Sequence, residues 1–220
     1  MYEIEIKSLL GSRENAERLE AQMEKLDPNL RKIGSHKQLN HYFEGKGDPE
    51  KAALIIPDGK ERQTFVELAN KAKDFSLRTR DADGTVLLVL KAAIDNTTSA
   101  NGTARREFEC KIDVPLEELD RTLQDAGFSY QAKWSRERTE YQFSGANVTI
   151  DKNAGYGYLA EFEMIENDPA QAEGTKAKLR GLIKSLGFEE LDQARLARMF
   201  AHYNTHWREY YGTEKTFVVL

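Results

Sequence analysis

Near its start the chain reads Tyr2-Glu3-Ile4-Glu5-Ile6-Lys7, charged and apolar residues in strict alternation. Successive side chains of a strand point to opposite faces, so Glu3, Glu5 and Lys7 share one face and Ile4 and Ile6 the other. The two-residue period returns at 36–43, where Gln38, Asn40 and Tyr42 lie together, and again at 75–81, 85–92, 104–113, 129–143, 146–151 and 158–165. Asp83-Gly84 and Ser144-Gly145 supply hairpin turns. Elsewhere the period lengthens to that of a helix. Leu19, Met23 and Leu26 mark one over 13–26, and Phe65, Leu68 and Ala72 mark a short one over 61–73. Pro115 and Gly127 bracket a third at 116–126, and Gly187 ends a fourth at 169–186. Over 189–211, Leu196, Met199, Phe200, Tyr203, Trp207 and Tyr210 form an apolar and aromatic stripe, which reads as core packing that closes one end of the sheet. The stretch 44–74, punctuated by Gly45, Gly47, Pro49, Pro57 and Gly59, reads as an insertion between strands, a surface excursion rather than a lid.

Composition narrows the setting. The 220 residues suffice for one large domain or two small ones, with 40% hydrophobic and 31% charged residues. A net charge of −5 leaves no basic excess with which to displace counterions from a nucleic-acid backbone, so no nucleic-acid partner is expected. Cys110 is the single cysteine, which excludes an internal disulfide and suits a reducing compartment. Neither an apolar leader nor an apolar run of membrane-spanning length is present; no membrane association and a cytoplasmic location are the expectations.

The charged strand faces carry the chemistry. Strand 104–113 places Arg105, Glu107 and Glu109 on one face, and strand 158–165 places Glu161 and Glu163 together. Arg78 and Arg80 share a face of 75–81, Lys91 ends that of 85–92, Arg136 and Arg138 belong to the long strand, and Asp151 ends the next. Acids and bases balance on this face, while the opposite face is mainly apolar and needs a cover of helices. Either an open sheet with one wet, charged side or a closed barrel with a charged interior satisfies the pattern. Buried ions cost several kcal/mol each unless compensated, roughly, so a charged interior implies a charged ligand. Arg and Lys suit phosphate oxygens, and closely spaced carboxylates suit Mg²⁺ or Mn²⁺. Both in one cavity call for a polyphosphate bridged to a divalent metal.

Glu3-Ile-Glu5-Ile-Lys7 resembles the N-terminal ExExK signature of the CYTH superfamily, the triphosphate tunnel metalloenzymes. The resemblance continues in order through Gln38-Leu-Asn40-His-Tyr42-Phe43, Leu77-Arg78-Thr-Arg80, Leu90-Lys91, Arg105-Arg-Glu107-Phe-Glu109, Arg136-Glu-Arg138-Thr-Glu-Tyr141, Asp151 and Glu161-Phe-Glu163. It implies an α+β fold: an eight-stranded antiparallel β-barrel, or tunnel, with a charged interior and helices outside. It implies a tunnel domain over 1–190, with 44–74 as its insertion, and a C-terminal helical extension over 191–220. Metal, Mg²⁺ or Mn²⁺, would sit on Glu3, Glu5, Asp151, Glu161 and Glu163, helped by Glu107 and Glu109. Lys7, Arg78, Arg80, Lys91, Arg105, Arg136 and Arg138 would grip the phosphates, with Glu5, Lys7 and Lys91 carrying catalysis. Asn40 departs from the family, where many members have Asp, and the 44–74 stretch is longer than expected. The spacing leaves open which of Arg136 and Arg138 is the equivalent base.

The expected activity is divalent-metal-dependent hydrolysis of a triphosphate: inorganic tripolyphosphate, thiamine triphosphate or a nucleoside triphosphate. The alternatives are an adenylyl cyclase of class IV, converting ATP to cyclic AMP and pyrophosphate, and a non-catalytic module that binds polyphosphate or nucleotide. Hydrolysis is preferred because no base-recognising pocket is identifiable in the sequence. The partner is a triphosphate-containing small molecule, and the chain is a monomer or a homodimer. His202 and His206, four apart on a helix, lack a third ligand and read as a surface pair; Cys110 reads as a buried small hydrophobe, and Gly155-Tyr156-Gly157 as a turn.

Overall fold

The computed structural model describes residues 2–72, 74–93 and 104–219. Eight strands, β1 (Tyr2–Gly11), β2 (Arg31–Glu44), β3 (Phe75–Ala82), β4 (Thr85–Ala93), β5 (Ala104–Lys111), β6 (Ser129–Phe143), β7 (Ala146–Asn153) and β8 (Gly157–Glu166), alternate with six α-helices. The strands close into an antiparallel barrel in the order β1-β5-β4-β3-β2-β6-β7-β8, with β8 returning to β1. The closed arrangement, rather than the open sheet, is therefore the one adopted. Asp83-Gly84 and Ser144-Gly145 have positive φ at both positions, the geometry that lets a two-residue turn match the twist of its strands.

Alternation sends the apolar residues of most strands outward, where helices bury them. Helices α1 (Arg13–Leu26) and α5 (Ala172–Ser185) set Leu19, Met23, Leu179 and Ile183 against Ile4, Ile6, Val148, Ile150 and Phe162. On the other side, α4 (Leu116–Asp125) covers Leu77, Leu88, Leu90 and Cys110 with Leu116, Leu119 and Leu123. Cys110 is buried there, and burial pushes its thiol up to about 12. That makes it an inert packing residue.

The 44–74 stretch is not a surface excursion. It folds into α2 (Pro49–Ala53) and α3 (Gly59–Lys71), whose Ala52, Ala53, Ile56, Phe65 and Ala69 are part of the same core cluster under β3–β5. Asp48 and Asp58 start the two helices by accepting backbone N–H groups of Glu50 and Lys51, and of Lys60 and Glu61. Strand β2 begins at Arg31, earlier than its periodicity indicates, because ladder pairing with β6 extends it where burial does not.

The last helix, α6 (Gln193–Tyr210), plays a different part. Leu9, Ala132, Trp134 and Leu159 have the parity of the charged inner face, yet they are apolar and sit at one end of the barrel. Leu196, Met199, Phe200 and Tyr203 pack on them, and Tyr203 stacks on Trp134 with ring centres 3.6 Å apart. Of the stripe, Leu196, Met199 and Tyr203 are buried against this end, while Phe200, Trp207 and Tyr210 are half-buried.

Candidate active site

Register, not proximity in sequence, assembles the interior. Between β1 and β8, Glu5 faces Glu163 and Lys7 faces Glu161. Between β2 and β3, Asn40 faces Arg80 and Tyr42 faces Arg78. Lys91 of β4 faces Glu107 of β5, and Arg138 of β6 faces Asp151 of β7. Together they surround a cavity of about 570 Å³, lined by Glu3, Glu5, Lys7, Arg78, Arg80, Lys91, Arg136, Arg138, Glu161 and Glu163.

The charges form linked pairs. Lys91 Nζ donates to Glu3 at 2.9 Å and lies 2.6 Å from Glu107. Lys7 is paired with Glu5 and, at 3.1 Å, with Glu161. Asp151 is fully buried, 0% exposed, and accepts from Arg136 at 2.8 Å and from both Nε and Nη2 of Arg138 at 2.7 and 2.6 Å. Arg138 also reaches Glu161 at 2.5 Å. Asn40 accepts from Arg80 Nε at 2.8 Å, so the amide standing in for an acid still orients that guanidinium.

Arg78 differs from its neighbours. It is 7% exposed, and among the described residues it donates to the Tyr42 hydroxyl at 3.0 Å and lies over the Tyr42 ring at 4.5 Å. No carboxylate pairs with it among the described residues, and its Nε is buried without a partner. A buried donor left unsatisfied costs about 1–3 kcal/mol, more when charged. The Thr149 hydroxyl, on the same cavity wall, is likewise unpartnered.

Proton affinities divide the acids into two groups. Burial raises Glu161, but Lys7, Arg138 and Arg136 outweigh it and hold the group well below the ordinary carboxylate range. Glu3 is pushed up to about 7 by burial and by its hydrogen bond to Glu107, against the pull of Lys91. Glu107 moves the other way: burial is outweighed by Lys91 and by the bond from Glu3. Burial also raises Glu163, with Glu161 and Glu107 adding to it against Lys91. Burial and the neighbouring Arg78 and Arg136 lower Arg80 to about 10. The same cations hold the buried Tyr42 hydroxyl below its ordinary value despite its burial.

The donor chemistry suits a divalent cation. Glu5 directly opposes Glu163, an arrangement of like charges that is unfavourable without an intervening cation, and Glu3 and Glu163 are forced toward the protonated state. Such oxygen donors fit a hard ion. Among the described residues, however, no three acidic, histidine or cysteine side chains already converge on one point, since Lys7 and Lys91 lie between the carboxylates.

The remaining expected site residues fall elsewhere. Glu107 contacts the site through Lys91 and Glu3, Glu109 pairs at 3.0 Å with Arg80 from a more exposed position, and Asp151 is enclosed by its arginines. The Arg105 side chain lies outside the described residues; its backbone pairs with Glu3. Arg136 and Arg138 both line the cavity. His202 and His206 are not a simple surface pair: they are half-buried, stacked at 4.4 Å, with His202 against Phe217 at 4.5 Å. Gly155 and Gly157 both have positive φ, as a turn requires.

Sequence reasoning missed the aromatic end of the cavity. Tyr42, Trp134, Tyr156, Phe200 and Asn204 line it alongside the charged residues. Trp134 shares the parity of Arg136 and Arg138, a signal that was present in the strand pattern.

Several solved structures share the fold. The PH1012 protein of Pyrococcus horikoshii OT3 matches with a TM-score of 0.62 and 19% identity over 85% of this chain and 91% of that one. A putative adenylate cyclase from Vibrio parahaemolyticus matches with a TM-score of 0.61 and 14% identity, over 91% and 98%. A protein from Hippeastrum, described as a putative adenylyl cyclase with a dominant triphosphatase activity, matches with a TM-score of 0.53 and 21% identity, over 92% and 96%. No curated protein matches the sequence. The CYTH domain family model matches residues 1–197, a span that includes all eight strands, and the chain accordingly belongs to the CYTH family.

Proposed function

We propose that the chain hydrolyses a triphosphate inside the tunnel with the help of Mg²⁺ or Mn²⁺. The observation that carries this reading is Arg78, a buried guanidinium aimed at the cavity with no carboxylate partner and an unsatisfied Nε. Phosphate oxygens are the planar, multiply charged acceptors that such a fork fits. Arg80, Arg136, Arg138, Lys7 and Lys91 complete a cationic ring that holds the phosphate chain extended and neutralises charge as it develops on the transferred group. Glu3, Glu5 and Glu163, with Glu161 beside them, would hold the metal, which when bound screens the phosphates from these carboxylates and polarises their oxygens. Water attacks the terminal phosphorus, a new P–O bond forms, and the bond to the bridging oxygen breaks, releasing orthophosphate and a diphosphate. The water's proton passes to a phosphate oxygen, so the product leaves as hydrogen phosphate. The Hippeastrum neighbour, with its dominant triphosphatase activity, favours hydrolysis over cyclisation.

The test is a panel of tripolyphosphate, thiamine triphosphate and ATP with Mg²⁺ or Mn²⁺, resolving orthophosphate, pyrophosphate and cyclic nucleotide. Metal-dependent orthophosphate release that falls in Arg78→Ala is the expected result. Cyclic nucleotide with pyrophosphate as the products would replace hydrolysis with cyclisation, and binding without turnover would reduce the protein to a binding module.

A further inference from the structure

Behind the arginine-bearing wall of the cavity, the cover of the barrel changes character. The outward residues Leu77, Leu88 and Leu90 meet apolar side chains of α4, but His41 and Thr79 meet the carboxylate of Asp120 on that helix. His41, Thr79 and Asp120 are 3%, 0% and 1% exposed. Taking a carboxylate out of water is costly, and apolar side chains of similar volume cover a buried surface as well or better. Apolar contact is non-directional, however, whereas hydrogen bonds fix distance and angle.

The two strand residues form one rung of the ladder. His41 faces Thr79, and the rungs on either side are Tyr42 with Arg78 and Asn40 with Arg80. Side chains alternate along a strand, so one rung points outward between two that point into the cavity. Each oxygen of Asp120 takes one strand of this rung: Oδ1 accepts from Thr79 Oγ1 at 2.6 Å, and Oδ2 lies 2.7 Å from His41 Nδ1. The imidazole is held from its other side too, with Nε2 2.8 Å from the Tyr211 hydroxyl. Inside, Tyr42 and Asn40 accept from Arg78 and Arg80 at 3.0 and 2.8 Å. A guanidinium fork rewards alignment with its acceptor, and a misplacement of about 1 Å can cost on the order of a hundredfold in rate.

We propose that Asp120 is a positioning residue for Arg78 and Arg80, setting their place in the cavity from outside the barrel through the rung of His41 and Thr79. The inference rests on the reading of the cavity as a triphosphate site. It assigns part of the phosphate grip to a side chain that touches no substrate.

The experiment is a set of double-mutant cycles read by calorimetric binding of diimidotriphosphate with Mg²⁺. This analogue carries NH in place of its bridging oxygens and resists hydrolysis, so the measurement needs no turnover. Asp120→Asn is expected to weaken binding about tenfold at a temperature where the variant is folded. In an Arg78→Lys background, where the fork is already lost, the same change should cost less than about threefold. In a Lys7→Arg background the loss of about tenfold should persist, because β1 lies four strands from β2 in either direction around the barrel. A merely structural role would weaken binding equally in both backgrounds. Should Asp120→Asn fail to fold, Thr79→Val keeps the shape of that side chain, removes its bond to Asp120 and enters the same cycles. Equal losses in the two backgrounds, or an affinity unmoved by both substitutions, overturn the proposal. Coupled binding without orthophosphate release from tripolyphosphate instead removes the proposed function and keeps the positioning role. A wild type that does not bind the analogue removes both.

Discussion

Asp120→Ala should destabilise the protein more than most single substitutions, although the residue lies outside the barrel and carries no expected chemistry. Asp120 projects from α4, is 1% exposed, and accepts from the Thr79 and Tyr130 hydroxyls, each at 2.6 Å. His41 Nδ1 lies 2.7 Å from its second oxygen. One carboxylate thus joins β2, β3 and β6 from behind. A hydrogen bond to a charged group contributes about 1.5–3 kcal/mol, and three sharing one acceptor do not add in full. Alanine also leaves the buried His41 and Thr79 and the half-buried Tyr130 without this partner, so the expected loss is about 3–5 kcal/mol. At about 2–4 °C per kcal/mol for a chain of this length, Tm falls by roughly 10 °C. Asp120→Asn, which keeps one acceptor, should lose less. Burial raises the carboxyl's pKa, but the bonds from His41, Thr79 and Tyr130 outweigh it and hold it below 3.8. A depressed acid contributes its full stabilisation above the unfolded value and loses it as pH falls through the folded one. The deficit of the variant should therefore be constant near neutrality and shrink below 3.8. Urea titrations of both proteins across that range measure it. The site should register the change as well, because His41 sits between Asn40 and Tyr42, and Thr79 between Arg78 and Arg80. A deficit under about 1 kcal/mol at neutral pH would refute the account, since even one orphaned buried donor costs about that much.

Three further outcomes follow from particular contacts. Chelation by EDTA should abolish phosphate release and Mg²⁺ or Mn²⁺ should restore it, while Glu5→Gln, which removes a carboxylate facing Glu163 and one of the two acids paired with Lys7, should lower activity and move its metal dependence to higher Mg²⁺, readable in a metal titration of phosphate release. Arg78→Lys keeps the charge but loses the planar fork, and kcat/KM should drop about 10- to 100-fold, readable in steady-state kinetics. In Gly47→Ala, the new Cβ would meet Phe128 Cδ2 at 2.4 Å, and because that ring is packed in the α2–α4 core, a loss of about 1–3 kcal/mol is expected in thermal unfolding.

Alternation alone made much of this molecule legible. Glu5, Lys7, Arg78, Lys91, Arg138 and Glu161 could be assigned to one face because a strand allows only two, and most of the outward partners had to be covered. What stayed hidden depended on contacts between distant segments. In 44–74 the helix α3 showed its period at 61–73, but the five-residue α2 is too short to show one, and the place of both in the core depends on long-range burial of Ile56 and Phe65. Asp120, His41 and Tyr211 are separated by long stretches, and no spacing links them. The aromatic wall was hidden for a different reason. Trp134 has the right parity to face inward, but the inner face had been traced by its charges, and Phe200 read as ordinary core on the helix that covers it.

The interior solves the problem of a charged core by separating two kinds of charge. Asp151 with Arg136 and Arg138, and Glu161 with Arg138 and Lys7, are each held by more than one partner. Removing any one strands a buried ion, at a cost of about 3–5 kcal/mol, so these groups serve as frame whatever else they bind. Arg78, Glu3 and Glu163 are different. One is a cation without a carboxylate hydrogen-bonded to it among the described residues, and the others are acids driven toward protonation by burial and by like charges. Each of the three is left in a state that an opposite charge would relieve. A substrate combining anionic oxygens with a divalent cation relieves both signs together, which neither component does alone. Free metal would face Lys7 and Lys91 already seated among the carboxylates, and a free phosphate chain would face the acids. On the proposed reading, the cavity therefore favours the complex of the two over either component alone.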